Sequence, residues 1–296
     1  MKIGIIGGGS IGLLTGTYLS NNHEVTIYTR SKLQADVLNK DGLILKKSGH
    51  AYQIACKASQ FPNQSVNQED LLIVTVKQYQ LAGIMDDLKK LDTRFLFLQN
   101  GMGHLEACEM LAKRNDVYVG VVEHGALRDG HNSVIHTGLG VLKVAAVSGD
   151  LASLSPLAGV PDFPFIMEAD YTSMLLDKLC VNATINPLTA VLGAANGELL
   201  DNPYYYEAFL VLFNEISDVL GIKDAEIKRL HIESICRKTQ ANISSMRKDV
   251  EEGRPTEVDA ILGYILHKAQ EKNCAAPIIN YLYCLIKGIE RRRKEN

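Results

Sequence analysis

At 296 residues the chain exceeds the usual size of one domain, so two domains are expected, and an apolar share of 46% suffices for two cores. A net charge of −3 gives no reason to expect nucleic acid or an anionic membrane as partner, and no apolar run reaches the roughly 18 residues of a membrane span. Six cysteines without a C-x-x-C pair read as reduced thiols, which points to a cytoplasmic protein and away from a disulfide framework.

The chain opens with Ile3, Ile5 and Ile6, a β-branched run that predicts a buried strand. It breaks into Gly7-Gly8-Gly9-Ser10-Ile11-Gly12, a G-x-G-x-x-G loop, and Leu13 to Asn22 then reads as a helix. Gly7 permits the tight turn, Gly9 lets a pyrophosphate approach the backbone, and Gly12 lets helix and strand pack closely. The N–H groups of the helix start, from Ser10 and Ile11, complete a phosphate cradle. A strand at the N-terminus cannot also be a cleaved signal segment, so it is expected to be retained.

The second strand, Glu24 to Tyr28, leads into Thr29-Arg30-Ser31-Lys32. An NAD enzyme usually carries a carboxylate here for the ribose 2′-hydroxyl; this chain has Arg30, which suits a 2′-phosphate, so the cofactor is expected to be NADP(H). Residues 42–56 alternate and contain glycine, which predicts an extended or hairpin excursion before the sheet resumes. Asp70 to Val76 and Phe95 to Leu98 are further strands, and Lys77 and Asn100 stand just past their C-terminal ends, where ligands sit in open α/β sheets. Val117 to Val122, Val134 to Gly140, Val141 to Val147 and Phe165 to Met167 continue the β-rich region. His124, His131 and His136 lack a carboxylate or cysteine at ligand spacing, so no metal is expected.

Near residue 170 glycine thins out and helical periodicity takes over, dividing the chain into residues 1–169 and 170–296. A helix is expected from Tyr171 to about Ile185, ended or kinked by Pro187. Lys178, Asn182 and Asn186, spaced i, i+4, i+8, form one stripe about 12 Å long. On pattern alone this is either a solvated face or a functional one. Further helices follow from Pro203, from Asp224 to Lys238, and from Pro277 to the basic run Arg291-Arg292-Arg293-Lys294. Thr256 reads as an N-cap that puts Glu257 and Asp259 in a helical first turn.

Together these motifs resemble the 2-dehydropantoate 2-reductases, or ketopantoate reductases. The resemblance spans essentially the whole chain. It rests on Gly7 to Gly12, Lys77-Gln78-Tyr79, Gln99-Asn100-Gly101, His136-Thr137-Gly138-Leu139-Gly140, Lys178 to Asn182 with Ile185 to Thr189, Asn196-Gly197-Glu198, Ser244-Ser245-Met246 and Gly253 to Asp259. Lys248 and Glu123 stand where the family often has glutamine and threonine.

The resemblance implies a Rossmann-type α/β domain followed by an all-α domain like that of 6-phosphogluconate dehydrogenase. It also implies NADPH-dependent reduction of a 2-keto acid, 2-dehydropantoate, to pantoate in pantothenate biosynthesis. Lys178 matches the general acid and Glu257 the carboxylate that binds substrate and fixes the lysine. Asn182, Asn186 and Ser245 match substrate-binding positions, with Asn196 in the same polar cluster. Lys77 and Asn100 match positions around cofactor and reaction centre, and Arg30 the cofactor-selecting arginine. The alternatives are a reductase of another 2-keto acid, a β-hydroxyacid dehydrogenase, or a non-catalytic NADPH-binding regulator. The state of assembly is not readable from these residues; a homodimer is compatible with them.

Overall fold

The computed structural model describes residues 1–294. The chain divides into two compact units, Met1–Gln99 with His104–Leu175, and Asn100–Gly103 with Leu176 onward. In chain order the first unit holds β1 (Lys2–Ile6), α1 (Ser10–Leu19), β2 (Glu24–Thr29), α2 (Lys32–Asp41), β3 (Leu43–Lys47), β4 (His50–Ile54), β5 (Lys57–Gln60), β6 (Leu71–Val74), α3 (Gln78–Leu81), α4 (Met85–Leu88), β7 (Arg94–Phe97), α5 (Leu105–Ala112), β8 (Val117–Val122), β9 (Gly125–Arg128), β10 (Ser133–Gly138), β11 (Leu142–Ser148) and β12 (Phe165–Met167).

Eight strands form one sheet in the order β12-β11-β8-β7-β6-β1-β2-β5. Every neighbouring pair is parallel except β8 with β11. The chain order reverses beside β1, whose Ile5 pairs with Ile27 of β2 on one side and Ile73 of β6 on the other. Ligands collect outside the carboxyl ends of strands at such a switch point. Both faces of a parallel sheet are covered, which is why β1 and β6 read as continuous apolar runs with Ile3, Ile5, Leu71 and Ile73 wholly buried.

The excursion expected over 42–56 is a hairpin, β3 paired antiparallel with β4. It does not extend the main sheet: β4-β3-β10-β9 is a second sheet of four strands. Helix α1 touches strands of both sheets, so Gly12 through Leu19 are all buried and the helix has no polar face. Helices α2 to α5 are additions to the sequence reading.

The second unit carries α6 (Tyr171–Leu192), of which Tyr171–Leu175 count with the first, then α7 (Glu198–Asp201), α8 (Pro203–Leu220), α9 (Ala225–Lys238), α10 (Ser245–Glu251), a π-helical turn at Asp259–Gly263, α11 (Tyr264–Glu271) and α12 (Pro277–Lys294). One expectation is corrected here. Helix α6 does not end at Pro187 but runs through it to Leu192. Leu188, Thr189 and Ala190 are buried, so packing outweighs the proline's missing N–H. The segment after Thr256 is helical as expected, the Thr256 hydroxyl accepting from the Val258 amide at 3.2 Å and the Glu257 carbonyl from Ile261 at 3.1 Å, and it passes into the π turn from Asp259. Helix α8 follows its local signals: Asn202 accepts from the amides of Tyr204 and Tyr205, Pro203 fills the first helical position, and Gly221 closes the helix at φ 72°. Phe209, Leu212, Phe213 and Ile216 supply its buried side.

Candidate active site

In the first unit the glycine loop is held by neighbours that the sequence does not put beside it. Gly7 has φ 121° and its amide donates to the carbonyl of Tyr28 at 2.9 Å. The Thr75 hydroxyl donates to the Gly7 carbonyl at 3.0 Å, and the Gln34 amide of α2 donates to the Gly8 carbonyl at 2.8 Å and to that of His131 at 2.7 Å. A Cβ on Gly12 would lie 1.9 Å from the Gly7 carbonyl oxygen, so no side chain fits there. A Cβ on Gly9 would meet nothing within 4 Å. Gly9 thus leaves the backbone open on one side, at the start of a helix whose first turn holds no acidic residue and whose first amides, from Ser10 and Ile11, have no partner within the helix. This geometry fits a dinucleotide pyrophosphate.

Past β2, the Thr29 hydroxyl donates to the Ser31 carbonyl at 2.8 Å and Ser31 caps α2, which fixes the turn that carries the exposed Arg30. Lys77 is half-buried and heads α3, its amide bonded to Gln80 Oε1 at 3.1 Å. The Gln99 side-chain amide donates to the carbonyls of Val74 and Val76 at 3.0 and 2.9 Å, tying the ends of β6 and β7 together. Gln34, Thr75 and Gln99 are supports that sequence reasoning missed. The signal at hand was position: Thr75 and Gln99 stand at the same strand ends as Lys77 and Asn100.

In the second unit Asn182 and Asn186 are each 8% exposed, one turn apart on α6, and Lys178 is half-buried one turn earlier. The stripe is therefore not a solvated face. Asn100 belongs to this unit, and its side-chain amide donates to Glu257 Oε2 at 2.9 Å; Glu257 is 9% exposed. Gly101, at φ 76°, makes that approach possible, since a Cβ there would lie 2.2 Å from the Ala260 carbonyl oxygen. Asn196 is buried and tied down, its amide donating to the Thr239 hydroxyl at 2.9 Å and its backbone to Asn242. Ser244, not Ser245, caps α10, its hydroxyl 2.7 Å from that of Thr189; Ser245 is exposed in the first helical turn.

His124, His131 and His136 are in the first unit. Tyr18 donates to Nδ1 of His136 at 2.7 Å, and His136 Nε2 lies 3.1 Å from Nδ1 of His124. The Gly140 amide also donates to that Nδ1 at 3.1 Å, so His124 carries its own proton on Nε2. Burial, helped by His136, pushes His124 down to about 4, and burial does the same to His104. Among the described residues no group of histidine, cysteine, aspartate and glutamate is arranged to hold a metal ion, and no helix is long and apolar enough to cross a membrane. The six cysteines are free; Cys108, Cys180 and Cys236 are buried.

A glycine-loop α/β unit followed by an all-α unit with buried amides and a carboxylate defines a Rossmann-type oxidoreductase with a helical second domain. Residues 3–149 match the family model for ketopantoate reductase PanE/ApbA, and residues 170–290 match the model for its C-terminal part. The chain is 42% identical to a 2-dehydropantoate 2-reductase of Bacillus subtilis over 98% of both chains, and 39% identical to one of Listeria monocytogenes over 98% and 97%. The crystal structure of a probable 2-dehydropantoate 2-reductase, PanE, from Bacillus subtilis superposes with a TM-score of 0.89 over 98% of this chain and all of that one. A D-mandelate dehydrogenase with NADH and anilino(oxo)acetate, 24% identical, shares the fold at the same TM-score. The chain belongs to the ketopantoate reductase family.

Proposed function

We propose that this protein reduces 2-dehydropantoate to pantoate with NADPH, on the pathway to pantothenate and coenzyme A. The observation that carries the reading furthest is full-length identity of 42% to a 2-dehydropantoate 2-reductase, in a chain whose second unit holds Lys178, Asn182, Asn186 and Glu257 partly or wholly buried. NADPH, when bound, supplies a hydride to the C2 ketone. Gly7, Gly9, Ser10, Ile11 and Gly12 hold its pyrophosphate and Arg30 its 2′-phosphate, with Lys77 near the reacting end. As the carbonyl carbon becomes tetrahedral its oxygen gains negative charge, and the Lys178 ammonium stabilises that charge and donates the proton. A lysine is charged at neutral pH by its reference value near 10.4, so it serves both purposes. Asn182, Asn186, Ser245 and Asn196 orient the keto acid without adding a competing charge. Glu257, held by Asn100, accepts from the substrate hydroxyl.

This last contact separates 2-dehydropantoate from 2-ketoisovalerate, which has a hydrogen in place of the hydroxymethyl group. A hydrogen bond to a charged group contributes about 1.5–3 kcal/mol, so the parent enzyme should prefer 2-dehydropantoate by at least about tenfold in kcat/KM. A spectrophotometric assay of NADPH oxidation on both keto acids, in the parent and in Glu257→Gln, measures it. Glu257→Gln should narrow the ratio. Equal rates on both keto acids in the parent would replace the pantoate assignment by a broader 2-keto acid reductase. The reading places the enzyme in the cytoplasm, and a homodimer, where formed, will show in light scattering.

A further inference from the structure

The segment that delivers Glu257 changes abruptly. Glu251 through Pro255 are exposed, and from Thr256 to Val258 the chain is buried, with Thr256 3% and Glu257 9% exposed. At that step a carboxylate from α12 meets the backbone. Glu290 Oε1 accepts from both the amide and the hydroxyl of Thr256, each at 2.7 Å, and only 12% of the Glu290 side chain is exposed. The Thr256 hydroxyl in turn accepts from the Val258 amide at 3.2 Å, and the Glu257 carbonyl accepts the first helical bond, from Ile261. One acid thereby fixes the Pro255–Thr256 peptide directly and the Glu257–Val258 peptide through the Thr256 hydroxyl. Lys287 holds that acid, with Nζ 3.3 Å from Glu290 Oε2 and 2.9 Å from Asp259 Oδ2, while Tyr283 donates to the other Asp259 oxygen at 2.7 Å. On the far side of the turn Asn100 reaches Glu257 and Gly101 packs on Ala260.

We infer that Glu290, on the last helix, is a positioning residue for the reaction: it sets the direction of the Glu257 carboxylate by clamping Thr256. A neutral apolar side chain at 290 would leave two donors of Thr256 without an acceptor in a buried turn, and the turn would shift to find one. An acid suits the place because one oxygen can accept from both donors at once, and its charge is favourable beside the amides that open the helix. The inference rests on the proposed role of Glu257 toward substrate.

The test compares Glu290→Ala, Glu290→Gln and Thr256→Val in the full-length enzyme. A displacement of about 1 Å at a binding group costs up to about 100-fold, so Glu290→Ala should lower kcat/KM for the keto acid by about 10- to 100-fold. The loss should fall mainly in the KM for the keto acid, with the NADPH dissociation constant unchanged. Glu290→Gln keeps the acceptor oxygen and should stay within about threefold of the parent, and Thr256→Val, which keeps the amide but not the hydroxyl, should fall between the two. Because Glu290 acts through Glu257, its loss should add little in a Glu257→Gln background. Additive losses in the double variant, or parental keto-acid kinetics in both Glu290→Ala and Thr256→Val, overturn the inference. Should Glu290→Ala not fold, Thr256→Val alone decides it by the same KM and double-variant readings. A Glu257→Gln enzyme with parental kinetics overturns the role of Glu257 and this inference together, whereas a damaged Glu257→Gln beside undamaged Glu290→Ala and Thr256→Val overturns only the present one.

Discussion

Two side chains, proposed to select the cofactor and to donate the proton, each make a separate prediction. Arg30 stands exposed at the end of β2, where a carboxylate would repel a 2′-phosphate. A charge-assisted contact contributes about 1.5–3 kcal/mol, so Arg30→Asp should cut the preference for NADPH over NADH by roughly 10- to 150-fold. Comparing kcat/KM with each cofactor checks this, and an unchanged preference would remove Arg30 from the cofactor site. Lys178→Ala should lower kcat by about 10²- to 10⁴-fold, as expected for a lost general acid. NADPH binding, measured by fluorescence titration, should be unaffected, because the glycine loop belongs to the other unit. Near-parental turnover would pass the proton to another donor, with Lys77 the next to test.

At the level of elements, the strand-loop-helix β1-α1 separates two kinds of glycine. Gly12 is fixed by the fold: a methyl group 1.9 Å from the Gly7 carbonyl oxygen forces the loop and helix apart. Gly12→Ala should therefore lose NADPH binding and destabilise the first unit by about 1–3 kcal/mol, the cost of overpacking. Gly9 has φ −83°, which alanine adopts freely, and open space where its Cβ would point. Gly9→Ala should leave the melting temperature unchanged and weaken NADPH by about 10- to 100-fold, the loss of one charge-assisted contact as a methyl intrudes on the phosphate. Melting curves and NADPH titrations of both variants distinguish the two, and a Gly9→Ala protein that binds NADPH normally would move the pyrophosphate elsewhere.

For the whole molecule, buried histidines contribute to the response to acid. His104 is wholly buried and His124 nearly so, and burial pushes both down to about 4 from an ordinary value of 6.5. The unfolded chain takes up protons on these rings once pH falls below about 6.5, while the folded chain does so only near 4. Stability is therefore complete above the unfolded value and declines as pH drops from there toward 4. In His104→Leu, which keeps the volume and removes one of the titrating rings, the loss of melting temperature between about pH 7.5 and 5 should shrink by about 2–4 °C per kcal/mol of linkage removed. Parallel melting-versus-pH curves for parent and variant would show that His104 does not contribute.

What the sequence by itself determined was local. The apolar runs of β1, β6 and β8, the glycine loop and the caps of α8 are read from neighbours a few residues apart, because period, steric freedom and capping act over that range. The departure from a solvated Lys178-Asn182-Asn186 stripe was not readable from spacing, since the same pattern fits either face until the packing around α6 is known. The passage of α6 through Pro187 was likewise decided by burial of Leu188, Thr189 and Ala190, which outweighs a local helix-breaking preference. The pairing of Asn100 with Glu257 joins residues 157 apart, and the clamp of Glu290 on Thr256 joins residues 34 apart. Hydrogen bonds between such distant positions leave no trace in local pattern. Only the tertiary structure, which closes those loops against their entropy and removes water from the groups they join, could bring them within reach.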